Sequence, residues 1–338
     1  MSTTIRKAVI SGFGDVSNIN IVTADIASPG QNEVQVSIIY AGFSGTDINM
    51  RLGVYPMQRA APLTPGYCFV GRVRSNGPGS TRYQPGDIVT ALSMYDSHAE
   101  LINISEKHLI PVPTELDLKQ AAALTVDWNT AYGMVTRAAK VSKGQRVFVH
   151  GLSGAVGYAI MALCQGHGAI VYGTASERNH IALKELGVTP FVYTDKDWIT
   201  AMQALGGVHA AFDPLGFQSY DESYSILSVN EQSMLIGYGG NLATLTGQNT
   251  GSVYPSILKL MARNLKCWTK RSTKFHYITR DDDTFQSDLK ELMKMASDGR
   301  VNVPIKCIWD LEDIKKAHVG WANGTGMGST LISIASNY

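Results

Sequence analysis

The chain has 338 residues, room for two domains at about 150 residues each. Lys and Arg number 29 against 28 Asp and Glu, a formal net charge of +1, which argues against a nucleic acid or membrane surface recruited by bulk charge. Charged residues make up 17% and hydrophobic residues 44%, a composition that can bury a large core and excludes a disordered chain. Four cysteines, Cys68, Cys164, Cys267 and Cys307, lie far apart without a CxxC pair, so neither a disulfide framework nor a zinc knuckle is expected. The opening MSTTIRKAVISGFGD lacks an apolar signal core, and no apolar run is long enough to span a bilayer. A cytoplasmic protein is the expectation.

The first ~110 residues read as β-rich. Strands are expected at Lys7–Ile10, Glu33–Tyr40, Cys68–Arg74 and Asp87–Ala91, separated by Gly/Pro turns such as Gly77-Pro78-Gly79 and Pro85-Gly86-Asp87. That spacing suggests a compact barrel or sandwich. A helix is expected over Asp127–Ala139, and strands and helices then alternate. The strands are Arg146–His150, Ala169–Gly173, Phe191–Tyr193, His209–Asp213, Ser233–Gly237 and Leu265–Trp268. The helices are Gly154–Gly166, Glu177–Leu186, Lys196–Leu205, Gln218–Leu227 and Tyr254–Arg263. Such alternation indicates a parallel sheet covered on both faces, an α/β doubly wound fold. Beyond it come a helix at Thr284–Ser297, a strand at Ile305–Trp309, a helix at Leu311–Ala322 and a strand at Thr330–Ile334, a tail that can rejoin the first domain.

The strongest motif is Arg146-Val-Phe-Val-His150-Gly-Leu-Ser-Gly154-Ala-Val-Gly157, an apolar strand running through a glycine turn into a helix. The last two glycines of GxGxxG are Gly154 and Gly157, and Leu152 replaces the first. Gly154 lets backbone approach a pyrophosphate, Gly157 lets the helix pack on the strand, and the helix N-terminus offers free N–H groups to phosphate. Alone, such a turn is only a tight strand–helix connection; the strand before, the helix after and the repeated βα units favour a nucleotide. The next strand ends Gly173-Thr174-Ala175-Ser176-Glu177-Arg178, with small residues where a carboxylate would bind an NAD ribose. Ser176 can donate to a 2′-phosphate and Arg178 can pair with it, which favours NADPH. The competing reading makes Ser176 only a helix cap, points Glu177 at the ribose and leaves Arg178 a solvated surface charge. His98, His150 and His276 have no partner at metal or triad spacing and read as structural.

The chain resembles the medium-chain dehydrogenase/reductase superfamily, in its zinc-free quinone-oxidoreductase and enoyl-reductase-like branch. The resemblance is carried by Ala41-Gly-Phe-Ser44-Gly-Thr-Asp47, Gly53-Val-Tyr55-Pro56, Pro65-Gly-Tyr-Cys68-Phe-Val-Gly71, Gly86-Asp-Ile-Val, Gln120-Ala-Ala-Ala-Leu, Asn129-Thr130-Ala131-Tyr132 and the turn ending at Gly157. These occur in family order over nearly the whole chain. The resemblance implies a GroES-like β-rich substrate domain, 1–124 with 269–338, and a Rossmann cofactor domain, 125–268. It also implies hydride transfer in a cleft between them, often within a homodimer. By position, Ser153, Gly154, Ala155, Val156 and Gly157 would form the pyrophosphate turn. Ser176, Arg178 and Tyr193 would surround the 2′-phosphate, and Thr130, Gly237 and Tyr238 would lie near the nicotinamide. Ser44, Asp47, Asn49 and Tyr55 would line the substrate side.

This chain departs from zinc-dependent relatives, which place Cys and His where it has Ser44 and Tyr67; Asp127 is the one candidate for a third ligand. No metal is therefore expected. Cys68 stands where relatives often carry an acid and reads as neutral core filler. Gly328-Ser329 replaces a common Gly-Lys.

The resulting expectation is a zinc-independent, NADPH-dependent reductase of an activated C=C (enone, enoyl or quinone) in a small apolar molecule, acting without nucleic acid or membrane. Tyr55 is the candidate proton donor or, equally, an aromatic packing residue, and Asn49 could hold the substrate carbonyl or cap a turn. Two alternatives stand beside it: a metal-free carbonyl reductase or alcohol dehydrogenase, and a non-redox cyclase or binding protein on the same fold. A homodimer is further suggested by the apolar Leu265–Trp268 strand, which could pair at a sheet edge.

Overall fold

The computed structural model describes residues 2–247, 251–266, 268–322 and 324–334. In chain order the elements are β1 (Ser2–Ile10), β2 (Ile19–Ala27), β3 (Glu33–Phe43), α1 (Gly45–Leu52), β4 (Cys68–Asn76), β5 (Ile88–Leu92), β6 (Leu101–Ser105), β7 (Ile110–Pro111), α2 (Leu118–Ala123) and α3 (Asn129–Tyr132). There follow β8 (Arg146–His150), α4 (Ala155–Gly166), β9 (Ile170–Ala175), α5 (His180–Glu185), β10 (Thr189–Val192), α6 (Asp197–Ala204), β11 (Ala210–Asp213), α7 (Gln218–Ser225), β12 (Ser233–Gly237), α8 (Leu242–Thr246), α9 (Tyr254–Ala262) and β13 (Arg271–Phe275). The chain closes with α10 (Phe285–Ser297), β14 (Ile305–Asp310), α11 (Ile314–Gly320) and β15 (Ser329–Ser333).

These elements form two compact units. The first comprises 1–129, 279–324 and 329–338; the second comprises 130–278 and 325–328. The boundaries expected from sequence move accordingly. Residues 125–129 belong to the β-rich unit, and 269–278 belong to the parallel-sheet unit, because β13 hydrogen-bonds alongside β12 from Ser233↔Arg271 to Gly237↔Phe275.

In the β-rich unit the main sheet runs β14-β15-β3-β4-β5-β7, with β6 also paired to β3. β3 sits centrally because its sequence, EVQVSIIYAGF, is apolar on both faces. The tail does rejoin this unit: β15 lies antiparallel on β3, from Thr330↔Phe43 to Ser333↔Tyr40. β1 and β2 form a separate antiparallel ribbon. β2 was not expected, and its exposed and half-buried INIVTADIA sequence explains why. The core packs Val36, Ile38, Phe43, Met50, Phe69, Val89 and Leu109.

The second unit holds six parallel strands in the order β10-β9-β8-β11-β12-β13. Numbered within this unit the order is third, second, first, fourth, fifth, sixth, the doubly wound Rossmann arrangement. The strand order reverses between β8 and β11, and the glycine turn follows β8 at that point. Phe148, Trp198, Met202, Ala211, Leu235 and Leu260 build the core, with Phe148 and Trp198 stacked at 4.9 Å. The apolar strand expected at Leu265–Trp268 is absent: Arg263–Leu265 form a helical turn, Leu265 and Trp268 are each 80% exposed, and Cys267 lies outside the described residues. The sheet edge is β13, so the strand invoked for dimer pairing is not where the sequence suggested. The basic run Lys270–Lys274 mostly forms that edge, with Arg271 over the Tyr224 ring at 4.5 Å. Among the described residues no helix is long and apolar enough to cross a membrane.

Leu235 is fully buried on β12, whereas Leu258 on α9 is 69% exposed. Leu235→Ala should cost about 2–5 kcal/mol of unfolding free energy, and Leu258→Ala should stay within about 0.5 kcal/mol of the parent. Denaturant melts of both variants check this; equal losses would contradict the packing described.

Candidate functional site

The parallel register brings the carboxyl ends of β8, β9, β10 and β12 to one edge of the sheet. Ser153–Gly157, Ser176, Tyr193 and Gly237–Tyr238 therefore share that edge, where ligands of such sheets bind. The turn after β8 is shaped by missing side chains. Gly151 adopts a left-handed backbone with φ 75°. A Cβ on Gly157 would overlap the Gly151 carbonyl, so α4 can only start this close to the strand with glycine there. Leu152, in place of the motif's first glycine, is fully buried, and a Cβ on Gly173 would sit 2.8 Å from its Cγ. Gly154 caps α4 without a side-chain hydrogen bond, and its open side is bounded only by the Gly151 carbonyl at 3.3 Å. The first turn of α4, at Ala155 and Val156, leaves N–H groups for an anion. This cradle fits a dinucleotide pyrophosphate.

β9 ends at Ala175, and Ser176 follows half-buried, its hydroxyl not spent on capping the next turn. Arg178 is exposed and engaged by a neighbour; Tyr193 is 54% exposed. Gly237 closes β12 with Tyr220 packed against it: a Cβ there would meet the Tyr220 ring at 2.6 Å. The Tyr238 amide donates to the Asp213 carbonyl at 3.0 Å, tying the ends of β11 and β12 together. Thr130 is 7% exposed in the helical stretch that opens this unit.

The β-rich unit collects a second group of polar side chains. Ser44 caps α1, accepting from the Thr46 amide at 3.1 Å, while Asp47 Oδ2 accepts from the Ser44 amide at 2.9 Å. Asp47 Oδ1 accepts from the Gly66 amide at 3.1 Å. Asp47 is fully buried, and its two oxygens pin α1 to the 65–68 turn. Asn49 is 9% exposed on α1 and already engaged. Tyr55 is half-buried against the core, engaged by a neighbour, with its amide donating to Gln58 Oε1 at 3.2 Å. Sequence reasoning missed Ser329, whose hydroxyl donates to Asp127 Oδ2 at 2.7 Å, and His98, which lies 3.9 Å from Asp47. His98 Nε2 faces the Gly42 carbonyl at 3.1 Å, and a carbonyl only accepts, so Nε2 carries the proton. No periodicity or spacing could reveal either contact, since each joins segments far apart in sequence.

Burial governs the charges here. Desolvation raises Asp47 to about 7, against the pull of the Ser44 and Gly66 amides, with the Asp127 charge adding to the rise. Desolvation likewise raises Asp127 to about 6, opposed by the Ser329 hydroxyl. Burial holds His98 neutral, lowered to about 4, and pushes the Cys68 thiol well up, consistent with inert core packing. The buried Tyr67 hydroxyl feels Asp127 and Ser44 but makes no well-formed hydrogen bond. Ser44, Tyr67 and a neutral Cys68 are poor zinc ligands, and Asp47 is saturated by backbone amides. Among the described residues no three His, Cys, Asp or Glu side chains are arranged to hold a metal. The donor set does not fit zinc.

Asp127 favours its protonated form in the folded chain, raised from 3.8 to about 6. That preference contributes stability below about pH 4 and loses it as pH climbs through about 6. The Asp127→Asn variant has no proton to lose. Its melting temperature relative to the parent should rise between about pH 4 and about pH 7, then level. A difference that falls with pH would contradict a raised Asp127.

Comparisons with known proteins place this geometry. The alcohol dehydrogenase GroES-like domain model matches residues 30–114, and the zinc-binding dehydrogenase model matches 155–298. The human synaptic vesicle membrane protein VAT-1 homolog is 26% identical, over 97% of this chain and 86% of its own length. A probable quinone oxidoreductase of Schizosaccharomyces pombe is 28% identical, over 91% of both chains. The solved quinone oxidoreductase of Coxiella burnetii superposes with a TM-score of 0.84 over 98% of this chain and all of that one, at 22% identity. The chain belongs to the medium-chain dehydrogenase/reductase superfamily of oxidoreductases, whose cofactor is a nicotinamide dinucleotide.

Proposed function

We propose that the protein is an NADPH-dependent reductase that delivers a hydride to an activated C=C of a small apolar molecule, without a metal. The observation that carries this reading is the glycine turn at the reversal of strand order, where only a side-chain-free Gly157 allows α4 to begin. The small Ala175 and Ser176 at the end of β9, where a ribose-binding carboxylate would stand, support NADPH over NADH. A carboxylate there would accept from a ribose hydroxyl and repel a phosphate, whereas the Ser176 hydroxyl donates and the Arg178 guanidinium pairs. When bound, the reduced nicotinamide supplies the hydride.

The chain's own residues supply binding and protons. Ala155 and Val156 offer backbone N–H groups to the pyrophosphate, reinforced by the positive end of α4. As hydride adds to the electrophilic carbon, negative charge grows on the conjugated oxygen and must meet a donor. Tyr55 is the proposed donor, and a proton from it or from water completes the new C–H bond. A conjugated acceptor suits this donor set, because charge spreads over an enolate and a hydroxyl suffices where a simple ketone gains from a Lewis acid.

NADPH should bind at least about tenfold more tightly than NADH in a fluorescence titration, with Arg178→Ala removing most of the difference. Equal affinities in the parent would contradict the 2′-phosphate reading. With deuterated NADPH and an enone, label should appear on a former alkene carbon. Tyr55→Phe should lower kcat by about a hundredfold or more at unchanged NADPH affinity. Label on a carbinol carbon would point to carbonyl reduction instead.

A further inference from the structure

His150 looks solitary in sequence, yet it is the middle of a buried polar chain within the parallel-sheet unit. Its Nδ1 lies 3.0 Å from Thr174 Oγ1 at the end of β9, and its Nε2 lies 3.0 Å from Ser223 Oγ on α7. Ser223 and Ser219 both donate to Asp213 Oδ2 at 2.7 Å. Asp213 Oδ1 accepts from the amides of Leu215 at 2.7 Å and Gly216 at 3.3 Å. At the other end, the Gly151 amide, which donates to the Thr174 carbonyl at 3.0 Å, also reaches Thr174 Oγ1 at 3.3 Å. All the side chains are buried, with Asp213 and Ser223 fully so.

Donor and acceptor chemistry gives the chain one direction. Asp213 accepts four donors, so the hydroxyl protons of Ser219 and Ser223 are committed to it. The Ser223 oxygen can then only accept from His150, which places the ring proton on Nε2. Nδ1 keeps its lone pair and takes the Thr174 hydroxyl proton, leaving the Thr174 oxygen free to accept from Gly151. The charged groups acting on His150 are Asp213, Lys196 and Glu222, and the Phe148 and Trp198 rings pack edge-on at 5.1 and 5.0 Å. Burial lowers the ring's proton affinity despite Asp213, in keeping with a neutral imidazole.

The two ends of this chain are the two turns flanking the reversal of strand order: the Gly151 turn after β8 and the Leu215–Gly216 turn after β11. We infer that His150 and Asp213 are positioning residues for dinucleotide binding, holding these two turns in fixed register through a one-way chain of hydrogen bonds. This rests on reading the glycine turn as the dinucleotide site. Neither side chain touches the cofactor; they set the backbone that does. A break anywhere in the chain, even on the far side of His150 from the glycine turn, therefore weakens binding.

The test uses the full chain with NADPH as probe. Ser223→Ala and Thr174→Val should each raise the NADPH Kd about fivefold or more, and the double variant should be no worse than the weaker-binding single, since both interrupt one path. Thr174→Ser, which keeps the hydroxyl, should bind as the parent does and guards against a Thr174→Val that fails to fold. In the parent, nitrogen NMR of His150 should show the Nε2-protonated tautomer, unchanged from about pH 5 to about pH 8. An Nδ1-protonated or titrating ring, multiplicative losses in the double variant, or unchanged affinity in Ser223→Ala would each overturn the inference. A parent that binds no NADPH would instead overturn the cofactor reading on which it rests, whatever the ring's tautomer.

Discussion

Helix α4 begins where it does because residue 157 has no side chain. Any Cβ at that position would overlap the carbonyl of Gly151, and the helix would have to withdraw from the strand that feeds it. Close approach aims the first N–H groups of the helix across the carboxyl edge of the sheet, at the place where strand order reverses. The turn reaches this geometry with a substituted motif. Gly151 takes the left-handed backbone, and Leu152 folds inward over Gly173, so the replaced glycine becomes part of the core rather than a defect. The glycine turn depends on that one contact.

The β-rich unit gathers hydroxyls and carboxyls into one buried neighbourhood. Asp47 is consumed in fastening α1, and Asp127 is satisfied by Ser329. Burial raises the proton affinity of both carboxyls, and the Asp127 charge raises Asp47 further, so the group carries less negative charge near neutrality than its composition suggests. Lowered charge, rather than a counter-ion, keeps the arrangement stable. It also leaves an environment suited to neutral hydrogen-bond donors, in keeping with chemistry in which charge arises on the substrate.

Much of the fold was legible because the middle of the chain repeats one unit. Each strand from β8 to β12 is a short apolar run, and each helix follows after a turn, so periodicity alone gives the parallel sheet. Legibility failed where burial and apolarity part company. Leu265–Trp268 reads as a strand from its residues but lies exposed, while the polar Arg271–Phe275 supplies the edge strand because β12 offers it backbone partners. β2 escaped notice because a ribbon with only β1 as its partner needs few buried side chains. At the site, the glycine turn and Ser176 were readable since their roles are local. His150, Asp213, Ser223, Ser329 and His98 were not, because their meaning depends on partners brought together only by folding.

In the proposed function, the turn following Val149 grips a diphosphate through bare backbone. Gly154 has an ordinary backbone conformation with φ −76°, and a Cβ there would meet one atom, the Gly151 carbonyl oxygen at 3.3 Å, which need give by only a few tenths of an ångström while the side chain fills the space a phosphate needs. Calorimetric titration of Gly154→Val with NADPH, alongside its thermal melt, tests this directly. A melting temperature near the parent's together with loss of binding is the expected outcome. A variant that folds and binds NADPH as tightly as the parent would contradict it.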